Sequence, residues 1–131
     1  LVAVLEERAG VSLAGRDVYV SVVGGVRVAE PGADLGTCLA LASAARNSAL
    51  PADLVVCGEV GLAGEVRQVS HTPRRLAEAA RLGFRRALVP LSAVVTSGPL
   101  EVTRVGTLVE AVAWAGLAAP AARPAAVGIL V

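Results

Sequence analysis

The side chains in this sequence that could act as nucleophiles, acids or bases are few and scattered. Cys57 and His71 could meet across a hairpin, but nothing supplies the third group that would orient such a pair. Ser70 and His71 are adjacent, and neighbours on a strand point to opposite faces. Ser43 and Ser48 lie in or just after an apolar helical stretch with no base in sight. All 12 basic residues are arginine. The absence of lysine excludes a Schiff base, a phosphate-loop lysine and a Ser–Lys dyad. Cys38 and Cys57 form no CxxC, and with one histidine in the chain a zinc site is not expected. The two thiols read as separate, reduced, cytosolic cysteines, Cys38 in a helix core and Cys57 at a strand end.

The arginines are more informative. Arg74, Arg75, Arg81, Arg85 and Arg86 fall in a 13-residue stretch whose one acid is Glu78. On a helix, positions 74, 78 and 81 share a face, so Arg74 and Glu78 are expected to pair, leaving Arg75, Arg81 and the two arginines after Gly83. Two readings stand. One is a solvated helix face with arginines favoured near the carbonyl end of the dipole. The other is a positive surface that neutralises phosphates without reading sequence. The stretch holds one aromatic residue, Phe84, and no interleaved aromatic pattern, so base stacking is not suggested.

Several elements must position these groups. Leu1, Val4 and Leu5 form one stripe of a helix over residues 1–9, capped by Gly10. The absence of methionine and this start inside an element are read as a piece of a longer protein. Alternation over Asp17–Val23 and Val26–Ala29 around Gly24-Gly25 predicts a hairpin. Ala33–Arg46 is apolar nearly all round and reads as a buried helix. Asp34, in its first turn, meets free N–H groups and the positive end of the dipole, a contribution of about 0.3–1 kcal/mol. A short strand over Leu54–Cys57, a second hairpin-like unit through Glu65–Val69, an amphipathic helix over Thr72–Leu82 that His71 opens, and strands over Ala87–Val89 and Leu100–Val105 follow. The strand–helix–strand run implies a right-handed crossover. Thr107 and Glu110 form a capping box opening a helix with Val112 and Trp114, to about Leu117.

This order gives an α+β class, expected as a two-layer sandwich with helices on one face of a mixed sheet. One domain over residues 1–117 is followed by a Pro/Ala-rich tail over 118–131. The chain is 55% hydrophobic with few aromatics, so its core is built from small branched side chains. Mean hydropathy is +0.68, yet the longest uncharged stretch, Ala87–Leu100, is broken by prolines and polar residues. It falls short of the roughly 18 apolar residues of a spanning helix. A net charge of +1 is not by itself a nucleic-acid signature.

Four segments carry a resemblance: Val23–Val28, Glu30–Leu35, Cys57–Arg67 and Arg75–Pro90. In order and spacing they resemble the C-terminal Lon-protease-like domain of the RadA (Sms) family of bacterial DNA repair proteins, over about residues 1–116. The resemblance implies a fold like that of ribosomal protein S5 domain 2. It also implies a degenerate protease site. Asp34 stands where Lon proteases have the serine, and Pro73 where they have the lysine, so no catalytic residue is expected. It implies a cytoplasmic, bacterial, non-catalytic platform that binds the DNA phosphate backbone and forms a homo-oligomeric ring, expected as a hexamer. The ring would serve a recombination ATPase and helicase joined upstream in cis, with a recombinase as a further candidate partner. ATP, magnesium and zinc belong to the missing upstream domains, and no cofactor is expected in this segment. The resemblance names no individual contacts; from the arginine cluster itself, DNA contact is assigned to Arg74, Arg75, Arg81, Arg85 and Arg86. Arg27 and Glu30 are candidates for mating across neighbouring subunits. A purely structural ring scaffold is the alternative, and a peptidase with an unrecognised nucleophile a further one.

Overall fold

The structure, a computed structural model, describes residues 1–10 and 30–117. The hairpin expected over 17–29, with Arg27, and the tail over 118–131 lie outside the described residues.

Local signals set the helix ends. Helix α1 (Val2–Ala9) stops at Gly10, whose φ of 71° is the left-handed region glycine enters without cost. A 3-10 turn over Pro31–Ala33 feeds α2 (Asp34–Arg46), which ends at Asn47, also left-handed. Helix α2 is less enclosed than its composition suggests. Leu35, Cys38, Leu39 and Ala42 form one buried stripe, while Ala40 and Ala44 are exposed. An alanine loses little by facing water, so an all-apolar sequence can still be one-sided.

Strands β1 (Leu54–Val56), β4 (Arg86–Pro90) and β5 (Glu101–Val105) form a parallel sheet in the order β1-β4-β5. Strands β2 (Glu59–Val60) and β3 (Val66–Arg67) form a separate antiparallel pair. Between β3 and β4 lies α3 (Thr72–Arg81), and α4 (Leu108–Trp114) follows β5. Thr107 Oγ1 accepts the Glu110 N–H at 3.1 Å, as the capping box requires. The Glu110 carboxylate reaches one residue further back, to the Gly106 N–H at 3.2 Å.

The central strand divides the core. Leu88 packs with Leu35, Leu39, Leu108 and Val112, on the side of α1, α2 and α4. Its neighbours Ala87 and Val89 pack with Cys57 and with Leu76 of α3 on the other side. Among the described residues, helices therefore cover both faces of the sheet, where helices on one face were expected. A parallel central strand is apolar on both faces because both are covered, and the Ala87-Leu88-Val89 run has that pattern. The connection from β4 to β5, residues 91–100, contains no helix. Its Val95 and Leu100 pack beside Leu76, so this irregular segment helps α3 cover its face.

Candidate nucleic-acid interface

Asp34 and Pro73, the two positions expected to replace a protease dyad, have structural work. Asp34 opens α2, and its Oδ2 accepts the Val60 N–H at 3.2 Å, tying the helix start to β2. Pro73 sits in the first turn of α3, where a missing N–H costs nothing. His71 is the N-cap of that helix, exposed and left-handed at φ 61°. The Cys57 thiol faces the hydroxyl of Thr72. Burial pushes its pKa up, against the opposing pull of Arg75 and the Thr72 hydrogen bond. Burial pushes the Cys38 thiol up to about 11. Ser43 Oγ donates to the Ser48 carbonyl at 2.5 Å, and the Ser70 carbonyl accepts from Arg75 Nε at 2.9 Å. Among the described residues no buried side-chain N or O lacks a partner, and no group of three or more His, Cys, Asp or Glu could hold a metal ion. No helix there is long and apolar enough to cross a membrane.

The five arginines of the 74–86 stretch separate into different environments. Arg74 and Arg85 are exposed, and among the described residues neither is ion-paired. Arg75 is occupied: its Nη2 lies 2.7 Å from Glu30 Oε1. That contact holds the Glu30 carboxyl below its ordinary range, chiefly through the hydrogen bond itself. Glu30 therefore has a partner within its own chain. Arg81 and Glu78 form a two-pronged pair at 2.9 and 2.5 Å, which lowers the carboxyl and raises the guanidinium. The expected Arg74–Glu78 pair is not formed. Glu before Arg along the helix is the order the dipole favours, and Arg74 before Glu78 is the reverse. Arg86 faces Asp53 through Nε at 3.7 Å, and the Asp53 carbonyl accepts the N–H groups of both Arg85 and Arg86.

Arg74, Arg75 and Arg81 share an open surface on α3 with His71. Arg86 instead lines a second cleft with Glu101, Thr103 and Trp114. Sequence reasoning missed Asp53 as the residue that fixes the start of β4, and it missed Glu30 as the partner of Arg75. The pairing of Glu30 and Arg75 spans 45 positions, so no local pattern could have signalled it.

These features define a small α/β domain with an arginine-bearing helix face and no assembled nucleophile–base pair among its described residues. No family model matches the chain. It is, however, 52% identical over 99 residues to the DNA repair protein RadA of Escherichia coli (strain K12), covering 76% of this chain and 22% of that protein. It is 56% identical over 90 residues to the RadA of Haemophilus influenzae, covering 69% of this chain and 20% of that protein. It is 47% identical over 114 residues to the RadA of Mycobacterium tuberculosis (strain H37Rv), covering 87% of this chain and 24% of that protein. The resemblance to RadA is thus shown along most of the chain, which spans about a fifth to a quarter of the length of these curated relatives.

Proposed function

We propose that this chain is a non-catalytic DNA-binding and oligomerisation platform of a RadA-type DNA repair protein, with a Lon-like fold of the ribosomal protein S5 domain 2 type. The observation that carries the reading is the pair Arg74 and Arg85. Both are exposed and free of carboxylate partners among the described residues, in a chain whose relatives are named for DNA repair. Guanidinium groups in that state are open to phosphate oxygens, which they meet bidentately. Arg81 adds charge to the α3 surface but spends part of it on Glu78, while Arg86 lies in the separate cleft and faces Asp53. Arg75 acts as a structural clamp. In this reading Asp34 and Pro73 replace a serine and a lysine, and the segment lends position to an ATP-driven motor located upstream. Exposed Leu62, Leu82, Leu91 and Val94 offer apolar area for contacts between copies in a ring.

A structural scaffold without DNA contact is the second reading. It is favoured by the three arginines, Arg75, Arg81 and Arg86, that face carboxylates. Sedimentation of the chain together with duplex DNA affinity at low salt separates the two. The platform reading expects self-association and micromolar or tighter binding. A ring with negligible DNA affinity at low salt replaces it with the scaffold.

A further inference from the structure

The chain's one tryptophan, Trp114, is 39% exposed at the end of α4, although Leu108, Ala111 and Val112 of the same helix are buried. It lines a cleft of about 260 Å³ with Arg86, Glu101 and Thr103. Arg86 and Glu101 are register partners across β4 and β5, and Thr103, two residues on, points to the same side. Arg86 faces Asp53 through Nε at 3.7 Å, and Asp53 is its one ion-pair partner among the described residues. Glu101 has none there. The cleft thus combines an indole ring, a guanidinium, a hydroxyl and a carboxylate acceptor.

We propose that this cleft binds one unpaired nucleotide of single-stranded DNA, with a preference for cytosine over thymine. The base stacks on Trp114, because an unpaired base offers a free π-face where a duplex does not. Arg86 takes the adjoining phosphate. Glu101 accepts from the exocyclic amine of cytosine, a donor that thymine lacks. Choosing DNA rests on the reading that this chain meets DNA, but the residues and the ligand differ from those of the duplex contact assigned to Arg74 and Arg85. The aromatic group comes from α4, and the fold places it in the same cleft as Arg86.

Trp114 is also the probe. Its emission in the 131-residue chain is titrated with oligo-dC and with oligo-dT, and duplex affinity is measured in parallel by anisotropy of a labelled duplex. Oligo-dC is expected to quench Trp114 emission and to bind at least about five-fold more tightly than oligo-dT. Glu101→Gln is expected to remove that preference while leaving duplex affinity within two-fold. Trp114→Ala is expected to lower oligo-dC affinity at least about five-fold by labelled-oligonucleotide anisotropy, and Glu101→Gln serves as the readout should that variant fail to fold. The proposal is overturned if neither oligonucleotide changes the emission, or if both do so equally and Glu101→Gln changes nothing. Lost duplex binding with quenching by oligo-dC retained would remove the duplex reading alone. Duplex binding without quenching would remove this one alone.

Discussion

Arg75 Nη2 lies 2.7 Å from Glu30 Oε1, and the same guanidinium passes so close over Gly32 that a Cβ there would sit 3.2 Å from Nη1. With Nε donating to the Ser70 carbonyl, Arg75 joins the entry to α2 to the entry to α3. An arginine held at three points this way serves the fold before it serves a partner.

That clamp predicts an acid limb in the stability curve. The Glu30 carboxyl is held below its ordinary value of 4.5 by Arg75, and that of Glu78 by Arg81. A depressed carboxyl stabilises the folded state above the unfolded value and loses that contribution as pH falls through the folded one. Thermal midpoints measured from pH 6 to pH 2.5 should therefore drop below about pH 4.5. The Glu30→Gln protein should start lower and converge on the parent at the acid end. Parallel curves for the two proteins would contradict the clamp.

Asp34 is assigned to structure rather than catalysis. Asp34→Ala leaves the Val60 N–H without its carboxylate and removes a negative charge from the start of α2. For this half-exposed group a loss of about 1 kcal/mol in denaturant unfolding is expected. Asp34→Ser, which introduces the residue type of a Lon nucleophile, should give no casein cleavage, because the chain supplies no lysine. Cleavage by either the parent or that variant would reopen the peptidase reading.

Gly58 is a packing requirement. A Cβ there would meet Val66 Cγ1 at 3.0 Å and Leu35 Cδ2 at 3.3 Å, both in the larger core. Overpacking of this kind costs about 1–3 kcal/mol, so Gly58→Ala should lower the unfolding midpoint with the denaturant slope unchanged. An unchanged midpoint would mean that the β2–α2 contact is looser than described.

Much of this was legible wherever the signal is local. Gly10 ends its helix and Thr107 caps α4, since each acts within one turn of its own position. The spacing of Arg74, Glu78 and Arg81 was legible too, but the choice between two partners turned on the dipole, and the structure selects Arg81. Distant relationships were not legible. Nothing near Arg75 announces Glu30, and nothing near Arg86 announces Trp114. The opposite placement of α3 follows from which side of β4 remains open after α2 and α4 have packed, which is a property of the assembled sheet.

Both thiols should be silent in the folded chain. Cys38 is fully buried with its pKa raised to about 11, and Cys57 is nearly so with its own raised by burial. A thiol-reactive chromophore at pH 8 should label neither in native buffer and both in denaturant. Fast native labelling of Cys57 would show an accessible thiolate and restore it as a candidate nucleophile.

The central claim is that free arginines, and not the clamped one, meet DNA phosphates. It is tested most directly by duplex affinity as a function of salt for the parent chain, the Arg74→Glu/Arg85→Glu double variant and Arg75→Gln. The account predicts a parent slope of about −2 to −4 in log affinity against log salt, for some two to four neutralised phosphates. It predicts near loss of binding in the double variant, and an unchanged slope with reduced thermal stability in Arg75→Gln. A salt-independent parent affinity, or a double variant that binds like the parent, would contradict it.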